Sequence, residues 1–169
     1  MKILICGLPG TGKTKLANKI AKEHNFFYIS DWDIFNANGI VIENQNKNIV
    51  SKNYHKLLLS HILNIKGDVV ADLEFSVSPN DFASFNTAEE VKIVYLGFYS
   101  LPVNVLCEKF KENINPNTSE SKLTNKIMGY KQISFDYFQQ CKKQSLPFFD
   151  VNKDRKLVLN EVLEFLNIN

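Results

Sequence analysis

The chain has 169 residues, 44% of them apolar, with 20 basic against 18 acidic side chains and a net charge of +2. That length suits one domain with a real core, and the near-neutral balance points to no particular partner. No stretch approaches the length needed to span a bilayer, and Cys6, Cys107 and Cys141 are odd in number and widely spaced, so they read as buried thiols of a cytoplasmic protein.

Lys2-Ile3-Leu4-Ile5-Cys6 is an apolar run long enough for one buried strand, and no amino-terminal signal is expected around it. Gly7-Leu8-Pro9-Gly10-Thr11-Gly12-Lys13-Thr14 follows at once and fits G-x-x-x-x-G-K-[ST] at every fixed position. Leu16, Ala17, Ile20 and Ala21 then recur at helical spacing. Strand, glycine loop and helix together are what the motif requires. The glycines let successive N–H groups converge into an anion nest, and the start of a helix near Lys13 adds its positive end to the same point. Lys13 is then placed for the β- and γ-phosphates of a nucleotide, and the Thr14 hydroxyl for Mg²⁺.

Phe26 to Ser30 reads as a second strand running into the acidic Asp31-Trp32-Asp33. Residues 36–48 are rich in Asn and predict a mobile loop. A helix is expected over 49–65, with Tyr54, Leu57, Leu58, His61, Ile62 and Ile65 on one face and Gly67 as its stop. Val69 to Leu73 is a third strand ending in acid at Asp72 and Glu74, and Ser78-Pro79-Asn80-Asp81 reads as a helix start with Ser78 as its cap. Val91 to Leu96 is a fourth strand, and a helix from Leu101-Pro102 to about Glu112 leads into a polar break at 113–119. A long helical pattern occupies about 120–143, a fifth strand 147–151, and a closing helix 157–166. Strands alternating with helices imply a parallel sheet covered on both faces, with ligands at the carboxyl ends of the strands. That rule brings residues 7–14, Asp31, Asp33, Asp72 and Glu74 together.

At this point the chain resembles a small P-loop kinase, of the group that includes polynucleotide 5′-hydroxyl kinases, zeta-toxin-like kinases, and shikimate- and gluconate-type kinases. The shared features are Gly-x-Pro-Gly-x-Gly-Lys-[Ser/Thr] at 7–14, the acidic pair after the second strand, and Asp72 ending the third. A helix after the fourth strand and a basic lid before a second long helix complete the match. The resemblance implies an α/β three-layer P-loop NTPase sandwich, with a five-stranded parallel sheet of order 2-3-1-4-5 and a helical lid. It implies one domain over 1–169, mobile near 36–48 and 111–126, using ATP and Mg²⁺. It aligns Asp33, with Asn36 shortly after it, with the carboxylate that takes the proton of an acceptor hydroxyl. Asp31 then helps to hold Mg²⁺ through water, and Asp72 is the Walker-B-like acid.

One departure stands out. Kinases of this group usually carry arginines in the lid, whereas the only arginine of this chain is Arg155. Lys109, Lys111, Lys122 or Lys126 substitutes, or Arg155 reaches in from the nucleotide side, or turnover is slow.

On the acceptor side, two carboxylates without arginine receive a nucleoside monophosphate poorly and a hydroxyl well. The expected function is transfer of the γ-phosphoryl of ATP to a hydroxyl of a small molecule, nucleoside or nucleic-acid 5′ end. Lys47, Lys52, Lys56 and Lys66 offer a basic groove for a nucleic acid, although the overall charge does not call for one. Trp32, Phe35, Tyr54 and His55 are candidates to stack on a ring. The alternatives are a nucleoside monophosphate kinase and an ATP-binding switch or scaffold with little turnover. A GTPase is disfavoured because Asn152-Lys153-Asp154 lacks the spacer of N-K-x-D.

Overall fold

Among the described residues five short, largely apolar segments form strands: β1 (Lys2–Gly7), β2 (Phe27–Ser30), β3 (Val69–Leu73), β4 (Val91–Gly97) and β5 (Phe148–Asp150). The structure, a computed structural model, describes residues 1–31, 57–74, 77–82, 90–111, 119–151 and 154–168. Asp33, Asn36, the stacking candidates Trp32, Phe35, Tyr54 and His55, and Lys47, Lys52 and Lys56 lie outside these residues. So do the segment 36–48 and all of the 113–119 polar break except Ser119.

All four strand pairings are parallel, in the order β2-β3-β1-β4-β5 that the resemblance implied. The helices are α1 (Lys13–His24), α2 (57–64 among the described residues), α3 (Val103–Lys111), α4 (Glu120–Gln144) and α5 (Arg155–Phe165). Alternation along the strands divides the core. Leu4, Cys6, Ala71 and Tyr95 pack under α2 and α4, while Ile3, Ile5, Val70 and Val94 pack under α1 and α5. A smaller cluster joins Leu8 and Phe98 to Leu106, Leu123 and Ile127, which seats α3 and the start of α4 beside the glycine loop. Successive side chains of a strand point to opposite faces, so a strand with both faces covered must be apolar throughout. All six residues of β1 are buried, and its one charged side chain, Lys2, donates its ammonium to the carbonyls of Ile65 and Gly67.

Two local expectations are corrected. On α2 the buried residues are Leu58, Leu59 and Ile62, whereas Leu57 is 72% exposed and His61 is exposed as well. A helix turns 100° per residue, so the ridge through 57 and 61 lies beside the one through 58, 62 and 65, and only the second meets the sheet. The helix start at Ser78 is a single 3₁₀ turn, Pro79–Phe82, among the described residues. Ser78 does not cap it by accepting. Its hydroxyl and its N–H both donate to the Asp81 carboxylate, at 2.8 and 3.0 Å. The acid three residues on thus closes the turn from the other side, as in half of a capping box.

Candidate active site

Gly7 ends β1 where the chain must leave the sheet. Its φ is +140°, and a Cβ there would lie 2.1 Å from the Leu96 carbonyl oxygen of the neighbouring strand, so only glycine fits. The loop then folds around the Leu8 carbonyl. That oxygen accepts from the Thr11 hydroxyl at 2.8 Å and from Lys13 Nζ at 3.2 Å. Gly12 is left-handed at φ +98°, and α1 begins directly after it. The first intrahelical bond runs from Leu16 N to Gly12 O at 3.0 Å. The amides of the first turn therefore have no carbonyl one turn back to bond, which is the condition for an anion site at a helix start.

Lys13 is 5% exposed, and its Nζ stands 3.8 Å from Asp72 Oδ1. The Thr14 hydroxyl donates to Asp72 Oδ2. Register explains the meeting, because Asp72 lies opposite Ile5 on one side and Ser30 on the other, at the carboxyl ends of β1 and β2. Asp72 Oδ1 is buried and has no hydrogen-bond partner among the described residues. An orphaned carboxylate oxygen beside a P-loop hydroxyl is a fitting outer partner for a hydrated cation. Among the described residues no three His, Cys, Asp or Glu side chains gather into a metal cluster, so a cation there would rely on Thr14, phosphate and water for its other positions.

Asp31 follows β2 and is 6% exposed. Its Oδ2 accepts the Glu74 N–H at 2.6 Å, which ties the ends of β2 and β3 together. Burial pushes its carboxyl up to about 6, and the nearby Glu74 and Asp72 charges add to the shift. The strand-end rule thus assembles residues 7–14, Asp31, Asp72 and Glu74 as expected.

Pro9, Gly10, Gly12, Lys13, Thr14 and Glu74 line a cleft of about 520 Å³, within the range of small-ligand sites, while Asp31 and Asp72 stand behind that lining. Of the expected lid cations, Lys109 and Lys126 line it, and Lys122 does not. The Lys111 side chain lies outside the described residues. Arg155, from α5, also lines the cleft. Asp154 caps α5 by accepting from Lys156 N at 2.8 Å, and the next residue lies along the loop, with Arg155 Nη2 2.8 Å from Gly10 O. The stacking candidates read from sequence lie outside the described residues; among those described, the aromatic residues lining the cleft are Phe98, Phe110 and Tyr130. Phe110 covers Gly10 so closely that a Cβ there would lie 2.6 Å from its ring. One signal pointed to it: Phe110 sits between two lysines already singled out for the lid.

The family profile described as an AAA domain matches residues 3–81, which include the loop, Asp31, Asp72 and Glu74. No curated protein sequence matches the chain. Among solved structures, shikimate kinase from Bacteroides thetaiotaomicron is similar with a TM-score of 0.69 at 17% identity, over 99% of both chains. Shikimate kinase from Acinetobacter baumannii, in complex with shikimate, gives 0.66 at 15% identity, over 98% of this chain and 93% of that one. A gluconokinase from Sinorhizobium meliloti gives 0.58 at 14% identity, over 98% and 91%. Likeness at such identities establishes the fold, which is that of the small P-loop kinases.

Proposed function

We propose that this chain, built on the small P-loop kinase fold, transfers the γ-phosphoryl group of ATP to a hydroxyl of a non-nucleotide acceptor. The observation that carries this reading is that Lys13 and Thr14, which line one cleft, both meet Asp72, while Asp31 is bonded to Glu74 of the same lining. The amides of residues 10–14 and the Lys13 ammonium bind the phosphate tail, and Arg155 borders the nucleotide side. Phosphoryl transfer needs positioning and charge stabilisation more than covalent chemistry, and these groups supply both. Asp33 takes the proton of the acceptor hydroxyl, and Asn36 borders the acceptor.

Mg²⁺, when bound with the nucleotide, neutralises charge on the phosphates; Thr14 and Asp72 would hold it, Asp72 through water. Asp72→Asn keeps an oxygen for the Thr14 hydroxyl while removing the charge. It is expected to weaken the Mg²⁺ dependence of ATP binding by about 10–100-fold, as loss of an outer-shell partner commonly does. Titrating Mg²⁺ at fixed ATP checks this. An unchanged Mg²⁺ dependence would leave Asp72 as a structural partner of Lys13.

A nucleoside monophosphate acceptor fits less well. The single arginine is already hydrogen-bonded to the Gly10 carbonyl, and the acceptor side carries carboxylates. The deciding experiment measures ADP release with sugars, aromatic and sugar acids, nucleosides and 5′-hydroxyl oligonucleotides in turn. A phosphotransferase consumes ATP several-fold faster with one class. The same rate across the whole panel would favour a nucleotide-binding switch instead.

A further inference from the structure

We infer that the acceptor carries an ammonium group beside its hydroxyl, as an amino sugar or a small amino alcohol does, and that Glu74 is the residue that selects it. This names the acceptor class of the proposed transfer and rests on that reading. In the transfer, the acceptor oxygen forms a bond to the γ-phosphorus while the β–γ bridging P–O bond breaks. The electron pair of that bond leaves with ADP, and the hydroxyl proton goes to a carboxylate. The ammonium keeps its protons and serves only to place the hydroxyl.

Strand order separates two ends of the cleft. β1 and the glycine loop that follows it lie between β3 and β4. On the β4 and β5 side the lining includes Phe98, Leu101, Val151 and Arg155, the last bordering the nucleotide. On the β3 side it is Glu74, two residues past the Asp72 that meets Lys13 and Thr14. With the phosphate tail over the loop between them, the end that Glu74 lines is left for the acceptor.

The part that Glu74 plays in the fold is carried by its main chain. Its N–H donates to Asp31 Oδ2 at 2.6 Å, and its carbonyl accepts from Val77 N at 3.3 Å. Among the described residues its carboxylate is the one acid on the cleft lining, is half-buried, and forms no ion pair or hydrogen bond. Lys15, Lys109, Lys126 and Arg155 line the same cleft, and none of them pairs with it. Behind it stand two more acids, Asp31 and Asp72, each 6% exposed, and Lys13 pairs with Asp72 rather than with Glu74. An acceptor that fills this end displaces water from the Glu74 carboxylate, and a carboxylate that loses water needs a counter-charge. An ammonium supplies it. A carboxylate or phosphate on the acceptor would meet like charge instead, with the only arginine engaged on the Gly10 carbonyl.

The test measures ADP release with matched acceptors that differ at one group: glucosamine, glucose and gluconate, then ethanolamine, ethylene glycol and glycolate, beside the nucleosides and oligonucleotides of the wider panel. The amine of a set should stimulate release with a KM about 10–100-fold below that of its neutral partner, the usual worth of a charge-assisted bond, and the acid should not stimulate. Glu74→Gln keeps the main-chain N–H on Asp31 and should raise KM for the amine by the same factor, with KM for ATP within a few-fold. Stimulation by neutral or acidic members with no gain for the amine would overturn the acceptor class and leave the kinase reading standing. A Glu74→Gln variant that keeps the wild-type preference would overturn the role of Glu74. ADP release that no member of the panel stimulates would overturn the kinase reading itself.

Discussion

Lys13→Ala is expected to lower ATP turnover by roughly 10³ or more, the largest effect of any single substitution in this site. The ammonium is nearly buried, hydrogen-bonded to Leu8 O at 3.2 Å and 3.8 Å from Asp72. Among the described residues it is the one buried cation lining the cleft, whereas Lys15, Lys109, Lys126 and Arg155 line it from exposed positions. Truncation also leaves the Asp72 carboxylate buried without its counter-charge, which threatens the fold as well as the rate. Lys13→Met fills more of the volume and separates the two effects. If both variants unfold near the wild-type temperature and both lose turnover, the charge is what mattered. Steady-state ADP release beside a thermal unfolding curve makes the comparison, and an unchanged rate would remove the basis for a phosphate site at 7–14.

The fold was legible where local pattern and physical necessity coincide. β1, the glycine loop and α1 form one such stretch, because the anion nest requires Gly7, Gly10 and Gly12 at fixed places and a helix directly after them. The sheet order came through resemblance, since nothing in an apolar run such as Val69–Leu73 says which strand it will join. Burial on α2 was misread because apolar residues at 57, 58, 59 and 62 satisfy more than one stripe, and only the docked helix chooses between them. The aromatic wall was missed for a related reason. Phe110 touches Gly10 across 100 positions of sequence, and helical periodicity in 103–111 shows only that one face is apolar. The single arginine, Arg155, lies against the loop, with its guanidinium on the Gly10 carbonyl.

Asp33→Asn should cut phosphoryl transfer by roughly 10²–10⁴, the usual contribution of a general base, while leaving ATP affinity within a few-fold. The argument runs through its neighbour. Asp31 is 6% exposed, and its Oδ2 is taken up by the Glu74 N–H. Burial also raises its carboxyl to about 6, so ionising it costs the folded chain stability as pH rises from the ordinary carboxylate range toward 6. A carboxylate this buried, with one oxygen on the Glu74 amide, suits holding β2 to β3. The task of general base falls to the acid two residues further on, past the end of the strand. Asp31→Asn retains an oxygen for the Glu74 N–H and removes the charge, so it should lower the rate far less and should improve stability above pH 6. The pair of variants, compared in single-turnover transfer to whichever acceptor stimulates ADP release, assigns the base. If Asp33→Asn loses ATP binding and rate together, Asp33 holds the loop rather than the proton, and Asp31 becomes the carboxylate to test.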